Sequence, residues 1–234
     1  MNKILTILFT CCLPLMAVSQ SADISEGEAW FGASYKLKFA NKLDIQIEEQ
    51  LRLDNDLDRV KKSFTEIGLD YEILKDFEVG VKYRFSIVPN SFAEDAVAKS
   101  AFNLSRISVD LSYELDKKNF PLSLEYRTRF QDTKELYTDQ KITFWRNKFS
   151  LEWKATKDIE PFVAYESFFR LNQKNEFRQD RYTVGVEWRI NKEMDISTFY
   201  RVDQQINKKI NGRQNIVGIM FAYSMDYKKK EKEN

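Results

Sequence analysis

Histidine is absent from these 234 residues. Its absence excludes the Ser-His-Asp triad, the Cys-His dyad, His-ligated zinc and His-bound haem. Cysteine is nearly absent. The chain has 2, Cys11 and Cys12, both in the apolar segment at its start. The remainder forms no disulfide and offers no thiolate as nucleophile or zinc ligand. Glycine numbers 7 and proline 4, too few for a collagen-like chain or a Gly-rich phosphate loop. A charge excess of either sign is also lacking: 37 Lys+Arg face 36 Asp+Glu, a net charge of +1. That balance gives no electrostatic case for nucleic acid or an anionic membrane surface. After the N-terminal segment no apolar run reaches the length of about 18 residues that marks a spanning helix. What the chain does have is aromatic and charged side chains, at 14% and 31%. So many aromatics exclude a disordered chain. The mixture makes sense if charges and aromatics lie on opposite faces of something thin.

The first residues have the pattern of an export signal. Met1-Asn2-Lys3 is short and positive, Ile4 to Val18 is mostly apolar, and Ala17-Val18-Ser19 supplies small residues. Residues 1–20 are therefore expected to be a secretory signal peptide, and 21–29 a short N-terminal segment.

From there on the chain has a period of two. Phe77, Val79, Val81, Tyr83, Phe85 and Ile87 alternate with Glu78, Gly80, Lys82, Arg84 and Ser86. Leu43 to Leu53 repeats the pattern, with Glu49 alone breaking the apolar stripe. Comparable stripes start at Phe31, Thr65, Ile107, Leu122, Trp145, Tyr182 and Val217. Two segments are less regular: Phe162 and Phe168 fall on the polar face of one, and Phe199 on that of the other. This gives eleven strands of about ten residues, the length of a tilted bilayer-crossing strand. Their connections alternate between short turns, expected at the periplasmic rim, and longer polar loops.

Alternation alone does not say which face points inward. Eleven strands contribute too many large apolar side chains for one interior, since about eight strands already fill a barrel. The polar face, rich in Arg, Lys and Glu, suits a crowded lumen. The fold class predicted is all-β: a transmembrane antiparallel up-and-down barrel over residues 30–227, with a charged tail at 228–234. Both termini on the periplasmic side require an even strand number, so ten to twelve strands are expected, with twelve the best single number: either a twelfth is irregular or Gln20 to Ala29 passes through the lumen.

Tyr71, Tyr113, Trp153 and Trp188 precede the short turns, and Tyr83, Tyr126, Tyr165 and Tyr200 follow them. Each series recurs at roughly 40 residues, one hairpin per repeat. These eight aromatics are the expected interfacial girdle. The expected lumen-lining charges are Glu48, Arg52, Lys82, Arg84, Arg106, Glu125, Arg127, Arg129, Arg146, Glu152, Glu166, Arg170, Arg181, Glu187, Arg189 and Arg201. Cross-strand neighbours lie about 5 Å apart, so many of these charges are expected to pair into a network that fills a narrow barrel. A second reading is a small pore with an arginine track for anionic solutes such as acidic oligosaccharides. A third is an accessory subunit docking partners through its wall or the loop Val88–Ala101. No enzyme is expected. Two glutamates such as Glu48 and Glu166 can in principle act as acid and base, but in a charged barrel they are better read as ion-pair partners. No metal or cofactor is expected.

Several short motifs resemble the DUF2490 proteins: Glu48-Glu49-Gln50-Leu51-Arg52-Leu53, Glu66-Ile67-Gly68-Leu69-Asp70-Tyr71, Tyr83-Arg84-Phe85 and Leu124-Glu125-Tyr126-Arg127-Thr128-Arg129. Pro161 to Phe169 and Arg178-Gln179-Asp180-Arg181-Tyr182 extend the likeness. The resemblance implies an outer-membrane barrel of the kind common in Bacteroidota, without an assigned activity. Its partners would be outer-membrane lipid and the outer-membrane assembly machinery, which reads a terminal aromatic. Phe221, Tyr223 and Tyr227 have that spacing, with Lys228 to Asn234 following.

Overall fold

The structure is a computed structural model describing residues 25–40, 42–54, 57, 59–89, 102–116, 120–172, 174–207 and 212–227. The expected signal peptide, most of the loop Val88–Ala101 and the charged tail lie outside these residues. Eleven strands follow in chain order: β1 (Ser25–Ala40), β2 (Leu43–Asp54), β3 (Arg59–Leu74), β4 (Phe77–Val88), β5 (Phe102–Asp116) and β6 (Leu122–Glu135). The series continues with β7 (Lys141–Trp153), β8 (Ile159–Arg170), β9 (Glu176–Arg189), β10 (Met194–Gln205) and β11 (Arg213–Asp226). Each pairs antiparallel with its chain neighbour, and β1 pairs with β11 to close the barrel.

That closure sets the strand number at eleven, within the expected ten to twelve and one below the best single number. β1 and β11 both start at the rim of the longer loops and run parallel, in register from Ser25↔Arg213 to Lys38↔Asp226. A parallel ladder uses evenly spaced, slanted hydrogen bonds and removes both sheet edges. Eleven strands therefore close without a twelfth. Ser25 to Ala29, expected as a segment outside the barrel or inside its lumen, form the first part of β1.

The strands are also longer than the apolar stripes, at 12 to 16 residues. β6 runs on to Glu135 and β9 begins at Glu176, absorbing residues expected in loops. Polar side chains at these strand ends leave the backbone ladder intact. The two rims consequently differ less than their polarity suggests.

The apolar stripes face outward. Ile67, Val81 and Phe130 are more than half exposed, whereas Arg84, Arg129 and Arg146 on the alternate face are buried. Outward Tyr83 beside inward Arg84 shows the alternation within one step. A soluble barrel would reverse this arrangement.

Candidate functional site: the arginine network of the lumen

An eleven-strand barrel is wider than one that ordinary core residues fill. Here long arginines cross the interior and meet carboxylates from neighbouring strands. Arg84 on β4 donates to Glu66 on β3 at 2.6 Å. Arg129 on β6 grips Asp110 on β5 with two nitrogens. Lys82 lies between Asp70 at 3.6 Å and Asp110 at 3.8 Å. Glu166 on β8 gathers three guanidiniums: Arg146 at 2.7 Å, Arg181 at 3.3 Å and Arg127 at 3.9 Å. Arg181 then reaches Asp203 on β10 at 2.7 Å. Glu166 is only 5% exposed and Asp110 3%, so these pairs sit in packed surroundings, where such forked contacts are strongest.

A second set of inward side chains holds the same arginines. Trp30, Phe64, Phe168 and Phe199 are buried on the lumen face. The Arg52 guanidinium lies 3.6 Å from the Trp30 ring centroid, Arg201 lies 4.8 Å from it and Arg181 5.8 Å. Arg84 stacks on Phe64 at 3.6 Å, and Arg146 on Phe168 at 4.4 Å. Cation–π contact of this kind strengthens when water is excluded, and a planar guanidinium is shaped for it. The rings have room because glycine stands beside them. Gly218 is the cross-strand partner of Phe199, and a Cβ there would lie 2.1 Å from the ring. Gly185 lies between Phe162 and Phe199 in the ladder.

Every expected lumen residue lies on the inward-facing alternation. Arg84, Arg129, Arg146 and Glu166 are buried there; Arg189 is exposed at the short-turn rim, against Glu160 at 3.3 Å and Asp195 at 3.6 Å. Lys148 pairs with Glu125 at 3.4 Å. Glu48, Glu152 and Glu187 form no ion pair among the described residues, and Arg170 donates to Asn172. Glu48 and Glu166 are not brought together as a reacting pair: Glu166 is held by arginines, and Glu48 stands opposite Ser34 and Glu66.

Two kinds of residue escaped the sequence reading. Asp203 follows the apolar alternation that ends at Val202 and so reads as loop, although its strand runs on to Gln205. The inward aromatics were visible only as breaks in the alternation at Phe162, Phe168 and Phe199. An aromatic on the charged face is the signal that finds them.

The eight expected girdle aromatics all face outward but at two levels. Tyr83, Tyr165 and Tyr200 each hold the seventh position of their strands. Trp153 ends β7, and Trp188 is one residue from the end of β9. Tyr71 and Tyr113 lie near the short turns, and Tyr126 faces Tyr113 across the ladder. Tyr126, Tyr165 and Tyr200 share another role. Their hydroxyls donate to Asn147 (2.8 Å), Asp180 (2.9 Å) and Asn215 (2.8 Å) on the next strand. Each satisfies a polar group that would otherwise stand alone on the apolar wall.

The sequence matches the family described as "Protein of unknown function (DUF2490)" over residues 27–215. No curated protein matches it. Among solved structures it resembles the outer-membrane expressed OmpT of Vibrio cholerae, at 8% identity and a TM-score of 0.42, covering 70% of this chain and 54% of that one. It also resembles an anion-selective porin from Comamonas acidovorans, at 9% identity and a TM-score of 0.39, with coverages of 82% and 54%. A third is the KdgM porin in complex with disordered oligogalacturonate, at 12% identity and a TM-score of 0.42, with coverages of 74% and 82%. The chain thus spans about half the length of the first two.

Proposed function

Taking as premise that this chain belongs to the DUF2490 family, we propose that it is an integral barrel of the bacterial outer membrane, porin-like in form and closed to hydrated solutes at mid-height. Integration rests on the closed ladder and the outward apolar wall. A closed barrel is one of the two architectures that satisfy every backbone group in lipid. Closure rests on one observation: Arg84, Arg129, Arg146 and Glu166 point into the hollow yet are 8% exposed or less. Side chains that face an open channel stay wet. These are locked by ion pairs and rings from both sides. The barrel works without catalysis or a cofactor, as a stabilising element of the membrane or a strongly restricted conduit.

Planar-bilayer recording tests this. The native protein should give at most sparse, small conductance, and Arg129→Ala with Arg146→Ala should raise it several-fold by clearing the constriction. A large, stable unitary conductance in the native protein overturns closure and favours a channel for acidic oligosaccharides. In that case Arg84→Glu, Arg127→Glu and Arg129→Glu together should reverse its anion preference. Extraction into buffer without detergent would overturn membrane integration.

A further inference from the structure

Most inward arginines have a carboxylate; two that share a ring do not. Arg52 on β2 donates through Nε to the neutral Gln50 Oε1 at 2.6 Å. Arg201 on β10 donates through Nε to the neutral Thr183 Oγ1 at 3.1 Å. Neither forms an ion pair among the described residues. Both lie on the indole of Trp30, at 3.6 and 4.8 Å from its centroid. The nearest acid on that strand, Glu28, is already held by Trp30 Nε1 and Lys61 Nζ. Lys62 stands directly opposite Arg52 in the ladder and adds a further positive charge. Arg181, the third guanidinium on the ring, is neutralised by Glu166 and Asp203.

A guanidinium has five donors, and among the described residues Arg52 and Arg201 each engage one, through Nε. Both side chains are partly exposed, unlike Arg84, Arg129 and Arg146. Elsewhere in this lumen a carboxylate fills that role. We propose that Arg52 and Arg201 form an oxyanion seat, with Trp30 as its floor, that takes a carboxylate- or phosphate-bearing solute entering from the rim of the longer loops. Arginine forks match both oxyanions two-pronged, and confinement within the lumen weakens screening of the attraction by water. The ring fixes the planes of the two forks before the anion arrives, which lowers the ordering cost of binding.

The seat deepens the reading of a constricted lumen, but equilibrium binding needs no conduction, so the two can fail separately. The test uses the full chain folded in detergent, with Trp145, Trp153 and Trp188 changed to Phe so that Trp30 alone reports. Inorganic phosphate and acetate are titrated separately at constant ionic strength. Saturable change in Trp30 emission is expected with at least one of them, with affinity at least 10-fold weaker in Arg52→Gln and in Arg201→Gln. Lys154→Gln at the short-turn rim should match the parent. Saturation by phosphate alone identifies a phosphate seat; saturation by acetate identifies a carboxylate seat. Melting supplies the second readout: the anion should raise the midpoint of the parent and not that of either Gln variant. A linear, unsaturable response, or equal binding by the Gln variants that retain the folded, heat-modifiable gel band, overturns the proposal.

Discussion

The two halves of the lumen carry opposite charge. Near the short-turn rim acid faces acid across the strands: Asp44↔Asp70, Glu72↔Glu78, Glu114↔Glu125 and Glu160↔Glu187. Toward the longer loops base faces base: Arg52↔Lys62, Arg84↔Arg106 and Arg129↔Arg146. Like charges directly opposite each other destabilise a sheet; in the basic half the direct pairs Glu66↔Arg84, Asp110↔Arg129 and Glu166↔Arg181 offset them. The overall charge of +1 conceals this sorting along the axis. The basic half also holds the rings on which guanidiniums stack, and carboxylates have no such partner. Arginine can therefore be packed dry, while the acidic half depends on water and on a few lysines. The constriction and the oxyanion seat both belong to the basic half for this reason.

The largest contrast should come from removing one carboxylate from each half. Glu166→Ala leaves Arg127, Arg146 and Arg181 short of a shared partner in packed surroundings. Stripping a buried ion pair of one member costs about 3–5 kcal/mol. Urea unfolding from lipid vesicles should show a loss of that order, and heat-modifiable gel mobility should fall with it. Glu187→Ala in the acidic half should show no such loss. Equal losses would erase the distinction between a dry and a wet half.

Removing the ring comes next. Trp30 is 3% exposed, packs edge-on against Phe199 at 6.3 Å and carries three guanidiniums. Trp30→Ala should cost about 3–5 kcal/mol from lost packing. If the ring also holds the guanidiniums through its π face, Trp30→Leu should recover only part of that loss. Full recovery by leucine would reduce Trp30 to a filler of volume.

How much of this was legible depends on which signal each feature leaves. The outward stripe is a repeated two-residue pattern, so Phe77 to Ile87 alone gives β4, and the number of such strands gives its orientation. Glu166 and the arginines around it follow from the same parity. The stripes themselves number eleven; the direct closure of β1 on β11 left no trace, because the partner of β1 is not set by any local residue. The partners within the network were also hidden. Arg146 joins Glu166 on the diagonal, although Lys148 is directly opposite Glu166 in the ladder; arginine length decides that choice, and spacing does not reveal it. The inward rings appeared only as exceptions to a rule, and their role required knowing which cations lie over them.

The smallest effect is the most specific to the acidic half. Glu160 and Glu187 are direct cross-strand neighbours, and the nearest base, Arg189, is exposed at the rim. Glu187→Gln should remove repulsion while keeping size and hydrogen bonding, with a gain of about 0.2–1 kcal/mol. Because this half is wet, salt should mimic the substitution. At 1 M salt the screening length falls to about 3 Å, and the difference between native protein and variant should close. Arg106→Gln in the basic half, measured the same way, should keep its difference at high salt, because the packed lumen admits little counter-ion. If the two substitutions respond alike to salt, both halves are equally solvated and the rings do not keep the arginines dry.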